Sequence, residues 1–248
     1  MIYEKLPVVL LSTLASEKQN STNKVIADYI LTHREEASSL GIKELSEKCH
    51  VGTGTISRFC REIGLEDFSE LKQILADASF RFETTDDPAS WNTHVSDALS
   101  MVVHSVDSRQ IQRLCNDIHA YEKVSAYGML KAEAAAIDLQ VDLLMLGKRI
   151  ETCVSYAEQM ERILSAKNEL ILIFSYTGSY FDYPNLRGKQ DALKQSRIWM
   201  ICSKGSNVPD FVNEAIVFDS LHDQLSHPYQ LEACESLIVQ EYARMKNR

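Results

Sequence analysis

Thr53, Thr55, Ser57, Arg58, Arg61 and Glu62 read as the outward positions of one short amphipathic helix, because Ile56, Phe59, Cys60 and Ile63 take its apolar face. Short hydroxyls and guanidinium groups near a helix start suit phosphate contacts and base edges in a DNA major groove. Lys72 adds a cation on the run that follows. A second string, Ser175-Tyr176-Thr177-Gly178-Ser179-Tyr180, follows the apolar run Leu170 to Phe174. Where a strand feeds such a loop towards a helix, hydroxyls and backbone N–H groups can hold a phosphate through hydrogen bonds and the helix dipole. The other reading is a plain turn, since Ser, Thr and Gly favour turns for their own reasons.

The elements that must position these groups are legible in the apolar pattern. Ile42, Leu45 and Cys49 mark a helix ahead of the first group, and only His50-Val51-Gly52 separates the two helices. Gly52 is expected to take the positive φ of a sharp turn, Thr53 to cap the second helix, and Gly64 to end it. Val25, Ile26, Tyr29 and Ile30 form an earlier stripe with Thr22 or Asn23 as its cap, and Phe68, Leu71, Ile74 and Leu75 carry a later helix to about Phe82. Together these make a small all-helical unit. Two packed helices with a glycine turn also occur in folds that never touch DNA.

Composition bounds the choice. With 248 residues, 45% hydrophobic and 25% charged, the chain can hold two cores. Its formal net charge of -9 excludes a general nucleic-acid sponge, so any DNA contact is local and relies on a dimer. The six cysteines stand singly, which fits a reduced cytoplasm and no metal site. LPVVLLSTLAS near the start faintly imitates a secretory leader, but Glu4, Pro7, Ser12 and Thr13 break it, and a helix packed on the first domain is expected instead. No run reaches the roughly 20 apolar residues of a membrane span.

The acidic, proline-bearing stretch ETTDDPAS marks a linker, giving domains over 1–82 and 91–248 with 83–90 between them. Beyond it, helices near Val95 to Val106 and Arg109 to His119 lead into alternating strands and helices. Strands are expected at Lys123 to Tyr127, Arg149 to Cys153, Leu170 to Phe174, Ile198 to Ile201 and Ala215 to Phe218. Helices are expected at Glu133 to Leu146, Tyr156 to Leu164, Leu186 to Gln195 and Gln230 to Met245. That alternation predicts an α/β domain with a mostly parallel five-stranded sheet flanked by helices.

The stretch from about Asn23 to Leu75, through IKELSEKCHV, TISRFCREIGL and FSELK, resembles the N-terminal domain of the RpiR-type bacterial regulators, which answer to phosphosugars. Gly52 departs from it, since the family usually has serine there. The block from about Lys123 to Phe218 looks like the sugar isomerase (SIS) domain that follows in those proteins. ELILIFSYTGS resembles the family's S-x-S-G-x-T phosphate loop, with Ser175 and Thr177 on its leading hydroxyl positions, and Tyr180, beside Ser179, in place of the final threonine. In the first loop Gly128 matches, whereas Leu130 stands where a second glycine is usual and Ala132 where a serine is. Lys131 could replace the lost contact with charge.

The resemblance implies a cytoplasmic regulator of sugar metabolism that binds operator DNA as a homodimer or tetramer, with a phosphorylated sugar as effector and no cofactor. It places DNA contacts at Thr53, Thr55, Ser57, Arg58, Arg61 and Lys72, and ligand contacts at Gly128, Lys131, Ser175, Thr177, Gly178 and Ser179. The apolar Val95 to Val106 helix is expected to help hold the dimer. The aromatics Tyr176, Tyr180, Phe181 and Tyr183 could stack on a sugar or pack against a neighbouring subunit. Two rivals remain: an isomerase-like enzyme using Glu133, His222, His227 or Glu232 as acid and base, and a regulator whose ligand site has decayed.

Overall fold

In the first 77 residues the apolar positions recur at helical spacing, and they close a core of short helices. The computed structural model describes residues 5–17, 21–77, 84–182, 186 and 188–247, and the chain divides into two units at residues 81 and 82. The first unit holds α1 (Lys5–Ser16), α2 (Thr22–Thr32), α3 (Arg34–Ser39), α4 (Ile42–Lys48), α5 (Thr53–Glu62) and α6 (Phe68–Asp77). Leu6, Leu10, Ile26, Ile30, Leu45, Ile56, Phe59 and Leu71 are fully buried between them. The α2 cap is Ser21, whose hydroxyl accepts from the Lys24 N–H at 3.2 Å, and not Thr22 or Asn23, which lie inside the helix. Asp67 caps α6 through the N–H groups of Ser69 and Glu70 at 2.7 and 3.0 Å. The expected run of this helix from residue 78 to 82 lies outside the described residues.

The second unit opens with α7 (Pro88–Ser105) and α8 (Ser108–Ala120). Asp87 caps α7 through the N–H groups of Ala89 and Ser90, and Pro88 suits its first position, so 88–90 is helix where a linker is expected. There follow β1 (Val124–Gly128), α9 (Lys131–Met145), α10 (Tyr156–Ser165), β2 (Leu170–Phe174), a 3-10 turn (Ser179–Asp182), α11 (Gln190–Leu193), β3 (Arg197–Ser203), β4 (Glu214–Phe218) and α12 (His227–Lys246). The helix expected over 186–195 is thus confined to the four residues of α11.

The sheet is parallel throughout, in the order β1-β2-β3-β4, with Gly128, Phe174 and Ile201 in register at its C-terminal edge. Four strands replace the expected five. The segment from Arg149 to Cys153 makes one bridge, Ser125 to Glu151, through Ala126 N–H to Glu151 C=O at 2.8 Å and Glu151 N–H to Val124 C=O at 2.9 Å. It then leaves the sheet because the Thr152 hydroxyl donates to Glu133 at 2.7 Å and the Cys153 carbonyl accepts from Gln159 at 2.6 Å.

Helices cover both faces of the sheet, as its buried strands require. On one side Val102, Leu114, Leu139, Leu172, Trp199 and Ile238 share a core, and α12 packs on α9, α7 and α8. On the other, Met160, Ile163, Ile171, Ile173 and Met200 pack together. Val95, Ala98 and Val102 are buried, so α7 spends its apolar face within its own domain. Among the described residues no helix is long and apolar enough to cross a membrane.

Candidate DNA-reading face and effector site

The turn between α4 and α5 is closed by backbone bonds. His50 N–H donates to Glu47 C=O at 3.1 Å and Val51 N–H to Ser46 C=O at 2.9 Å, while His50 takes the left-handed conformation at φ 54°. The positive φ therefore falls on His50 and not on Gly52, which is extended at φ -79°. Thr53 is not a cap but the first residue of α5, and no side chain caps that helix start. Thr53 and Gly54 at this start are exposed, and the Thr55 N–H turns back to the Gly52 carbonyl at 2.9 Å, an uncapped start that the Gly-Thr-Gly string could have signalled. Gly64, at φ 84°, closes the other end with Gly64 N–H to Arg61 C=O at 3.1 Å and Leu65 N–H to Cys60 C=O at 2.8 Å.

On α5, Thr53, Arg58 and Arg61 are exposed, and Thr55 and Ser57 are half-buried. Ser57 Oγ donates to Thr53 C=O at 3.2 Å and Arg61 Nε to Ser57 C=O at 3.3 Å, so both side chains lie along the helix. Arg58 meets Glu62 at 3.5 Å, and Glu62 also accepts from Asn23 at 2.8 Å. Exposed pairs of this kind are weak and exchange readily for a phosphate. Lys72 stands apart from this set: its Nζ donates to the Ser39 carbonyl at 3.1 Å and ties α6 to the end of α3.

In the sheet, the chain leaves β1 for the bridge at Glu151 on one side and returns to β2 on the other. The direction of winding switches between β1 and β2, and ligands of open parallel sheets bind at such a point beyond the strand ends. Gly128 lies there, and a Cβ on it would come within 2.5 Å of the Ala132 carbonyl group, so only glycine fits. Leu130 holds φ 52° and ψ -111°, a conformation that glycine adopts without strain.

Glu133, only 3% exposed, binds the first loop from below. Its carboxylate accepts from Gly128 N–H at 2.9 Å, Thr152 Oγ1 at 2.7 Å and Gln159 Nε2 at 2.9 Å. Burial pushes this carboxyl up to about 7 against those donors, which pull it down. Gln159, fully buried on α10, also donates to Gly128 C=O at 2.9 Å and accepts from Tyr180 Oη at 2.7 Å. Sequence reasoning overlooks Gln159, although a polar residue on the apolar face of α10 was a visible signal. It joins the first loop to the second.

In the second loop Ser175 is buried, and its Oγ accepts from Tyr180 N–H at 3.1 Å. Thr177 and Ser179 share a hydroxyl bond of 2.6 Å, and Gly178 takes φ 74°. A Cβ on Gly178 would come within 2.8 Å of the Asn207 carbonyl oxygen. Tyr176, Tyr180 and Phe181 are buried and pack inside the domain, with Phe181 against Phe211 at 4.9 Å and Tyr176 against His227 at 5.0 Å. Tyr183 lies outside the described residues. Lys131 lines a separate groove of about 540 Å³ with Thr84, Thr85, Trp91, Gln224 and Tyr229. Of the remaining acid–base candidates, His227 is buried, and burial first, then the charge of Lys131, hold its imidazole down to about 4. His222 sits in a loop at φ 55°, and burial raises the Glu232 carboxyl.

Helical head and doubly covered parallel sheet define the class, a helix-turn-helix domain joined to a sugar-isomerase-type α/β domain. Residues 10–80 match the helix-turn-helix domain of the rpiR family. The match covers the helical unit, and the α/β unit shares its fold with the solved structures described below. It is 22% identical over 177 residues to the HTH-type transcriptional regulator HexR of Pseudomonas aeruginosa, covering 65% of this chain and 61% of that protein. The curated relatives it matches are spanned over 59% to 65% of their length. Among solved structures, the Vibrio vulnificus NanR protein complexed with ManNAc-6P is 17% identical with a TM-score of 0.51, over 98% of this chain and 94% of that one. The sugar isomerase domain of the Sphaerobacter thermophilus RpiR transcription factor is 19% identical with a TM-score of 0.50, over 66% of this chain and 93% of that one.

Proposed function

We propose that the protein is a cytoplasmic transcriptional regulator whose operator affinity responds to a phosphorylated sugar bound in the α/β domain. The observation that carries the reading is the rpiR-family head with an uncapped, exposed α5 start, joined to a sheet whose switch point bears a serine, threonine and glycine loop. Thr53, Thr55, Ser57, Arg58 and Arg61 contact the operator, and Lys72 is a backbone contact only if it releases Ser39. Two heads in a homodimer or tetramer read the half-sites of a near-palindromic operator.

The effector's phosphate seats on Gly178 and the hydroxyls of Thr177 and Ser179, with Ser175 holding the loop in shape and Gly128 bordering it, while Lys131 belongs to the separate groove beside Trp91 and Tyr229. Support comes from the Vibrio vulnificus NanR protein, which shares the fold over 98% of this chain and is solved with ManNAc-6P. Because Ser175 already holds the Tyr180 amide, and Gln159 holds both Glu133 and the Tyr180 hydroxyl, the loop is pre-formed and binding costs little ordering. The same bonds favour a regulator over an isomerase, since Glu133, the acid nearest the loops, is committed to three donors. Thermal denaturation of the full chain against a panel of sugar phosphates tests this reading. At least one member should raise the midpoint with increasing concentration, and a flat response across the panel contradicts an intact effector site.

A further inference from the structure

Tyr176 sits in the effector loop between Ser175 and Thr177, yet its side chain leaves that loop. Its ring packs against Phe218 at 6.1 Å and His227 at 5.0 Å, and its hydroxyl meets Ser220 Oγ and, at 3.4 Å, Gln230 Nε2. Those partners belong to the end of β4, the loop 219–226 and the start of α12. The contacts run on from there. Gln230 Nε2 donates to Ser226 Oγ at 2.8 Å, Ser226 Oγ donates to Asp223 Oδ2 at 2.5 Å, and that oxygen stands 3.2 Å from His94 Nε2 on α7. The same loop is tied to the far end of α7, where Asp219 N–H donates to Ser105 Oγ at 2.8 Å. Helix α7 is the first helix of the α/β domain in the chain, and Asp87 caps its start.

We propose that Tyr176, Gln230, Asp223 and His94 are positioning residues that relay effector binding at Thr177, Gly178 and Ser179 to α7, touching neither effector nor DNA themselves. Two joints of this chain have a second setting within reach. Gln230 is fully buried, and its Oε1 has no hydrogen-bond partner, while the contact of its Nε2 with Tyr176 is at the limit of a hydrogen bond. A Tyr176 hydroxyl that shifts towards Oε1 donates to it while Nε2 keeps Ser226, so one more buried group is satisfied and Ser220 is released. At the far end His94 and Asp223 are near enough to pair as ions but are not aligned as a hydrogen bond, so a small shift makes or breaks that joint. Between the two joints the loop is stiff, because Asp223 Oδ1 accepts from the N–H groups of Leu225 and Ser226 at 2.7 Å each. A stiff segment between two switchable contacts passes a displacement on, where a floppy one would absorb it.

The relay rests on the proposed effector reading and names how that site acts. The full chain is assayed by gel shift on DNA flanking its own gene and by thermal denaturation, with an equimolar mixture of glucose 6-phosphate, fructose 6-phosphate and glucosamine 6-phosphate as the probe. In wild type the mixture should raise the melting midpoint and change operator affinity about fivefold or more. Tyr176→Phe keeps the ring packing and removes only the hydroxyl, and His94→Ala removes the far joint, a side chain 32% exposed. Each variant should keep the midpoint rise and the operator affinity measured without sugar phosphate, while the effect of the mixture on affinity falls below about twofold. Residues that only brace the fold would lower the midpoint and leave that effect at its wild-type size, which overturns the relay and leaves the regulator standing. Loss of the midpoint rise in His94→Ala overturns it as well, since it makes His94 part of the ligand site. A wild type whose operator affinity ignores the mixture overturns the relay together with the reading beneath it. Should Tyr176→Phe fail to fold, a wild-type effect in His94→Ala is enough to overturn the relay.

Discussion

The start of α5 and the crevice between β1 and β2 handle polar groups in opposite ways. On α5 the hydroxyls and guanidinium groups face water and bond mainly within their own helix, with the helix start left uncapped. In the crevice Glu133, Gln159, Ser175 and Tyr180 are buried and satisfy one another. The first arrangement suits a surface that exchanges water for phosphate, where a side chain can be lost without harm to the fold. The second couples binding to stability, because each residue that shapes the loop also holds up the domain.

The largest way to break that contrast is Phe59→Ala in the head core. It should cost about 3–5 kcal/mol, abolish DNA binding and leave any ligand response of the α/β domain in place, which calorimetry with and without ligand resolves. Tyr180→Phe sharpens the crevice side. It leaves the buried Gln159 Oε1 without its donor and should lower stability by about 1–3 kcal/mol in chemical denaturation, whereas an unchanged midpoint removes that network from the account. Arg58→Ala or Arg61→Ala should weaken operator binding about tenfold with no change in melting temperature. Equal affinity in both variants means that α5 is not the reading face.

The smallest effect is in pH. Glu133 and Glu235 are raised by burial to about 7 and about 8, so the folded domain keeps protons that the unfolded chain gives up near 4.5. Their contribution is fully present below that value and is lost as pH rises through about 7 and 8. His227, lowered from 6.5 to about 4, acts with the opposite sign: its contribution is present above 6.5 and lost as pH falls through about 4. Between pH 6.5 and about 8.5 only the carboxyls act, and the melting temperature of the α/β domain should fall by a few degrees. Glu133→Gln and Glu235→Gln should each flatten that slope, and a level wild-type profile over the same window speaks against both assignments.

The head was legible because its helices are amphipathic and adjacent in sequence. Ile56, Phe59 and Cys60 fall on the buried side as their spacing requires, and Gly64 ends α5 where a left-handed residue is needed. The turn itself is not legible in the sequence, since the closing bonds of α4 decide which residue goes left-handed, and they select His50 over Gly52. In the α/β domain the uninterrupted apolar run of β2 gave the sheet away. What stayed hidden are partnerships between distant residues. Thr152 and Cys153 are drawn off the sheet edge by Glu133 and Gln159, and nothing local in the segment from Arg149 to Cys153 announces it. Ser175 has the type expected of a ligand contact, yet its hydroxyl is taken up by the Tyr180 amide. Leu130, where glycine is usual, does adopt a positive φ, so backbone geometry was kept while the side chain that favours it was not.

The most direct test of the account joins its two halves. Protein and DNA flanking its own gene are titrated in gel-shift or footprinting assays at fixed salt, with and without the sugar phosphate that stabilises the chain most. The account predicts a discrete, protected site whose affinity the sugar phosphate moves by about fivefold or more in either direction. A protected site whose affinity ignores every sugar phosphate, or no specific complex at all, contradicts it.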